Sequence, residues 1–289
     1  MKCLTQVLLE DETLRDGLQA EQKIFSLEEK IFIYQKLLEA GVRRVQVGSF
    51  VHPRIVPQMA ETAEFVRAIH GLDDNCLLTA LVLNAKGLER AMECGLTHLT
   101  MSVSVSDSHS RKNAGVSSEI ACRAMEELIR SACHNGITVR AGIQCAFGCT
   151  DEGPVHKKSV VDTAVSFSEA GAIEINLADT AGMAQPEDVR ALIPLVKNKL
   201  PDLSVSMHAH DTSGFGLANM QAAYEAGVRI FDTTTGGLGG CPFVQNAGGN
   251  VATEDAVELF DSLGAQTGVD QQKIRSLTTW IYRNLGRNM

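Results

Sequence analysis

Two rhythms of apolar positions alternate along this chain. Short apolar or alternating runs of four to seven residues predict strands near Gln6–Leu9, Arg44–Val47, Cys76–Val82, His98–Ser104, Thr138–Gln144, Glu174–Ala178, Ser204–His208 and Ile230–Thr233. Between them, apolar positions recur every three to four residues. That spacing predicts helices near Ser26–Glu39, Val56–Ile69, Ala85–Glu93, Ser117–His134, His156–Ala170, Gln185–Lys199 and Gly214–Ala226. Two more follow near Thr253–Leu263 and Gln271–Leu285. In the first helix Ile31, Leu37 and Leu38 face inward, while Glu28, Glu29, Lys30 and Lys36 are left for solvent. Gly41, Gly95, Gly136, Gly171 and Gly227 each stand between a helical run and a strand, where a left-handed residue ends a helix. Eight strand–helix repeats predict an α/β fold with a parallel sheet closed as a (β/α)8 TIM barrel, with an extra C-terminal helix. An open doubly wound sheet is the runner-up. Its dinucleotide glycine fingerprint is missing after the first strand, where the chain reads Thr13-Leu14-Arg15-Asp16-Gly17.

The 289 residues, 44% hydrophobic and 21% charged, read as one barrel domain over 1–289 without a proline-rich linker. A net charge of −9 gives nucleic acid or an anionic membrane no attraction, so an anionic substrate must be drawn by local positive charge. The eight cysteines include no Cys-x-x-Cys pair, which suits a reducing cytoplasm. The N-terminal apolar run is broken at once by Glu10 and Asp11, too soon for a signal peptide or membrane span.

Chemistry concentrates at the carboxyl ends of the predicted strands. In Met207-His208-Ala209-His210 the two imidazoles share one strand face, half of a metal site. Asp16 follows the first strand and Asn250 lies after the eighth, and a closing barrel makes the first, seventh and eighth strands neighbours. Two imidazoles with a carboxylate and an amide oxygen form a mixed set suited to Mg²⁺ or Mn²⁺. Arg15 beside Asp16 offers a guanidinium for negative charge developing on a carbonyl oxygen. The segment Gly236-Gly237-Leu238-Gly239-Gly240-Cys241-Pro242 has the glycine content of an active-site lid, and Cys241 in it could exchange a proton with a substrate carbon.

Taken together, Thr13–Gln19, Gly48-Ser49-Phe50-Val51, Val56-Pro57-Gln58-Met59, Leu177-Ala178-Asp179-Thr180, His208–Thr212, Gly237–Pro242 and Gly249–Asp255 resemble the 3-hydroxy-3-methylglutaryl-CoA lyase family, within the metal-dependent TIM-barrel lyases and synthases. The resemblance implies a retro-Claisen lyase that releases acetyl-CoA and a 3-oxo acid. Asp16, His208, His210 and Asn250 would hold the divalent metal, and Arg15 would stabilise the enolate. Cys241 would protonate that enolate or close the lid, and His208 and Asp16 would help the hydroxyl lose its proton. Asp179, Gln19, Gln46, Ser49 and Asn113 would line the substrate site. A homodimer acting on a small acyl-CoA thioester is implied on the same basis. One departure stands out: Gln46 occupies a position where the family pattern carries a glutamate. Two other readings remain. One is a synthase running the condensation, against which Leu18 replaces an acidic residue of that branch. The other is a barrel that has lost activity.

Overall fold

The computed structural model describes residues 5–240 and 249–287. Eight parallel strands close into a barrel: β1 (Leu8–Asp11), β2 (Arg44–Ser49), β3 (Leu77–Leu81), β4 (His98–Ser104), β5 (Thr138–Gln144), β6 (Glu174–Asp179), β7 (Ser204–Ala209) and β8 (Ile230–Thr233). Closure is made by β1, which pairs with β2 on one side and with β8 on the other, Leu8 opposite Ile230 and Asp11 opposite Thr233. The outer layer consists of α1 (Leu27–Glu39), α2 (Thr62–Ile69), α3 (Ala85–Glu93), α4 (Asp107–Ala114), α5 (Ser118–His134), α6 (Lys157–Glu169), α7 (Pro186–Lys199), α8 (Gly216–Glu225) and α9 (Thr253–Ser262). The five joint glycines all carry φ between 79° and 113°, the conformation their positions predict.

Local chemistry accounts for the elements. Ser26 and Glu29 form a reciprocal capping box at the start of α1, which satisfies two otherwise unpaired amides. The face of α1 that meets the barrel carries Ile33, Tyr34 and Leu37. Lys30, which the amphipathic pattern sends to solvent, is buried instead: its stem packs inward and Nζ donates to the Gln58 carbonyl at 2.9 Å. The extra C-terminal helix, α10 (Gln271–Asn284), packs on α1 through Trp280, whose ring lies 4.5 Å from that of Phe32. A small parallel pair, Thr5–Gln6 with Ala265–Gln266, adjoins the N-terminal end of the barrel.

The apolar core lies between strands and helices, and the lumen is different. Arg44 on β2 meets Glu174 on β6 at 2.8 Å, and Arg140 on β5 meets Glu10 on β1 at 2.6 Å. Strands so far apart in the ring touch only across the lumen. The interior is therefore a charged lattice, where barrels commonly stack branched aliphatic side chains.

Asp11 at the end of β1 is fully buried, accepting from the Thr13 amide at 2.9 Å and the Thr253 hydroxyl at 3.0 Å. Burial outweighs these bonds and raises its carboxyl to about 6. A raised acid stabilises the fold below its unfolded value and loses that contribution as pH climbs through about 6. Relative to wild type, Asp11→Asn should thus gain roughly 2 kcal/mol of stability between pH 4 and pH 7.5. Denaturant melts of both proteins at the two pH values measure it, and a pH-independent difference would refute it.

Candidate active site

Residues from opposite ends of the chain meet at the carboxyl-terminal rim. Asp16 sits in a tight turn, Thr13–Gly17, directly after β1. His208 lies at the end of β7 and His210 just beyond it, with ring centroids 5.0 Å apart. One donor atom from each of Asp16, His208 and His210 lies within 4.8 Å of the others. Asn250, paired with His210 through the backbone, donates Nδ2 to Asp16 Oδ2 at 2.7 Å and to the Leu238 carbonyl at 2.9 Å. With the nitrogen so committed, the amide oxygen is the atom Asn250 could offer a cation.

The electrostatics suit a divalent ion. Burial and the adjacent His208 push His210 down to about 4, so its imidazole is neutral near pH 7 and free to ligate. Burial raises the Asp16 carboxyl, but Arg15, both histidines and the Asn250 amide together hold it well below the usual carboxylate range. Around and beneath the cluster runs one connected ion-pair network: Glu10, Glu12, Asp16, Glu174 and Asp232 against Arg15, Arg44 and Arg140. Five carboxylates facing three guanidiniums leave an excess of negative charge that His208, whose pKa its bond to Asp232 raises against the pull of burial, offsets only in part, and a divalent cation would neutralise the remainder. Without that charge, burial raises the carboxyl of Glu12 to about 7. The donor set and the charge deficit both fit a metal of the Mg²⁺ or Mn²⁺ type.

Arg15 is held rather than free, bonded to Gln46, Asp16 and Glu12. Gln46 is fully buried: Oε1 accepts from Arg15, while Nε2 donates to Glu12 at 2.8 Å. Its amide thus bridges a cation and an anion, which a carboxylate could not do without repelling Glu12. An irregularity in β2 between Gln46 and Ser49 sets Ser49 opposite Leu81, on the same face as Gln46 three residues earlier. The Ser49 hydroxyl is buried and makes no hydrogen bond among the described residues, leaving a donor and acceptor open.

Other sequence-derived candidates fall elsewhere on the rim. Asp179 ends β6, and its oxygens accept from the amides of Met183 and Ala184 at 3.0 and 3.1 Å, shaping the following turn. Gln19 is half-buried just past the Arg15 turn. Asn113 is exposed on α4 and donates to Gln144 at 3.4 Å. Cys241 lies outside the described residues. The base of its glycine-rich segment is nonetheless well held. Gly236 donates its amide to Glu254 at 3.0 Å and accepts from the Tyr282 hydroxyl of α10 at 2.6 Å. A Cβ there would lie 2.7 Å from Thr278, so only glycine fits.

Sequence reasoning missed Glu12, Arg140 and Asp232. The usable signal was alternation: Arg44/Gln46 and Glu174/Asn176 are polar at every second position of strands that are buried throughout.

Fold and rim together define a TIM-barrel enzyme whose polar cluster occupies the mouth where that architecture carries its chemistry. Residues 6–281 match the family model described as HMGL-like, and the chain belongs to that family. It is a carbon–carbon lyase. The (R)-citramalyl-CoA lyase of Chloroflexus aurantiacus is 38% identical, covering 97% of this chain and 92% of its own. The hydroxymethylglutaryl-CoA lyase of Pseudomonas mevalonii is 37% identical, covering 94% and 90%. Among solved structures, the Bacillus subtilis HMG-CoA lyase superposes with a TM-score of 0.94 at 32% identity, over 100% of this chain and 97% of that one. An HMG-CoA lyase from Acinetobacter baumannii, in complex with coenzyme A and 3-methylmalate, gives 0.92 at 30% identity, over 98% and 92%.

Proposed function

We propose that this chain is a divalent-metal-dependent acyl-CoA lyase that splits a 3-hydroxy-3-methylglutaryl-CoA-like thioester into acetyl-CoA and a 3-oxo acid. The observation that carries the reading is the meeting of Asp16 with His208 and His210 at one rim. Those three, with the Asn250 oxygen, would hold Mg²⁺ or Mn²⁺. Such an ion, when bound, supplies a Lewis acid for the substrate's hydroxyl and a neighbouring oxygen.

The protein's own groups supply the rest. Asp16, kept ionised by its surroundings, and His208 would help the hydroxyl lose its proton, Asp16 as the acceptor and His208 by holding the ion that acidifies it. The bond between the carbinol carbon and the carbon next to the thioester then breaks, and its electron pair passes into an enolate. Arg15, pinned on three sides, faces the thioester oxygen on which that charge collects. Gln46 fixes the angle of Arg15, and the open Ser49 hydroxyl and Asp179 border the substrate, with Gln19 and Asn113 further out. Cys241 returns a proton to the enolate carbon, giving the acetyl group. A small acyl-CoA is the partner, within a cytoplasmic homodimer formed by one catalytic unit per chain. Among the described residues no helix is long and apolar enough to cross a membrane.

A second reading keeps the chemistry and shortens the acid: 38% identity to a citramalyl-CoA lyase supports a citramalyl-type thioester that yields a 2-oxo acid. Incubating the protein and Mn²⁺ with each thioester and measuring acetyl-CoA release distinguishes them. Release from neither, or undiminished release by Cys241→Ala, would sink the corresponding assignments. Release of free CoA from acetyl-CoA and a 2-oxo acid would establish the synthase direction instead.

A further inference from the structure

His208 has two ring nitrogens, and the lumen occupies one of them. Nδ1 lies 3.2 Å from Asp232 Oδ2 and 3.5 Å from Glu12 Oε2. Asp232 on β8 is only 2% exposed. Its carboxylate is gripped by Arg140 Nη2 from β5 and accepts from Asn176 Nδ2 of β6 at 3.3 Å. Three strands therefore fix where this carboxylate points, and Arg140 keeps it ionised. Glu12 is the weaker candidate, being further from Nδ1 and already bonded to Arg15 and Gln46. A neutral imidazole carries one N–H, and whichever nitrogen donates leaves the other with the lone pair a cation needs.

Building on the metal reading above, we infer that Asp232 is a positioning residue: it holds the His208 proton on Nδ1, and so aims the Nε2 lone pair at the cation site. Carboxylates in this relation to a ligating histidine raise its basicity and fix its ring, and their loss weakens metal affinity by about 10–100-fold. Glu12, His208 and Asp232 also lie close enough together to hold an ion, but the Asp232 carboxylate is already engaged by Arg140, Asn176 and His208, so its role here is to act through His208.

The test uses the whole chain and Mn²⁺, with affinity read by electron paramagnetic resonance of the free ion and independently of turnover. Asp232→Asn should weaken Mn²⁺ binding by about 10–100-fold, and Glu12→Gln by clearly less. Because loss of the carboxylate leaves Arg140 one partner short, a second measurement uses the unaltered protein. Nitrogen resonances of the histidine rings in the Mg²⁺-saturated chain should place the His208 proton on Nδ1. Wild-type Mn²⁺ affinity in a folded Asp232→Asn variant, or a proton on Nε2, would overturn the assignment. Failure of the wild type itself to bind Mn²⁺ would remove the metal reading and this inference with it.

Discussion

Replacing Arg15 by methionine is expected to lower kcat by about 10²–10³-fold, the range for removing one preorganised donor to a developing oxyanion, while Mn²⁺ is held at least as tightly as before. The two effects separate because Arg15 competes with a cation for Asp16. Its guanidinium is bonded to Asp16 and Glu12, and it is the largest influence holding the Asp16 carboxyl down. Removing it deepens the negative potential of the lattice and so favours a bound cation, but leaves the enolate oxygen without its counter-charge. Steady-state kinetics beside Mn²⁺ titrations decide the matter. A kcat within tenfold of wild type, or a large loss of Mn²⁺ affinity, would contradict the role given to Arg15.

The second large effect is on stability. Free Mn²⁺ at a hundredfold excess over its Kd should stabilise the fold by about 2.7 kcal/mol, raising Tm by about 4–5 °C, and chelation should reverse it. Asp16→Asn should abolish the response. At a fixed Mn²⁺ concentration the increment should also grow with pH. Burial raises the Glu12 carboxyl to about 7, so in the metal-free chain its contribution is complete below about 4.5 and is lost as pH rises through about 7. A cation that offsets the lattice's excess negative charge thus has most to restore on the alkaline side. Melting curves at pH 5.5 and pH 8 with and without Mn²⁺ check the sign, and an increment that shrinks toward pH 8 would refute it.

Much of the architecture was legible because its signals are local. His98–Ser104, Thr138–Gln144 and Ile230–Thr233 coincide with their predicted bounds, since apolar runs and joint glycines report backbone conformation directly. The first strand is shifted, running to Asp11, because two acidic residues masked its end; both belong to the buried end of β1. Helix α4 was missed for a physical reason. Asp107-Ser108-His109-Ser110-Arg111-Lys112-Asn113 has no apolar stripe, and it is held by the Ser106 cap and by pairs such as Lys112 with Asp151 at 2.6 Å. The rim cluster could be read from His-x-His and barrel closure. The lattice beneath it could not, because Arg140 with Asp232 is a partnership across the lumen, and Gln46 with Arg15 one between neighbouring strand ends, that no sequence spacing encodes.

Arg140 carries a final consequence, for assembly. Its guanidinium lies against carboxylates contributed by β1, β6 and β8, between 2.5 and 3.0 Å away. A nascent chain that has made only its first six strands holds Glu10 and Glu174 but not Asp232, so this arginine must keep part of its water. Fragments comprising half the ring should therefore stay expanded, and the last strand to arrive should be the one that lets the interior dehydrate, tying the slow step of folding to the joining of β8 with β1.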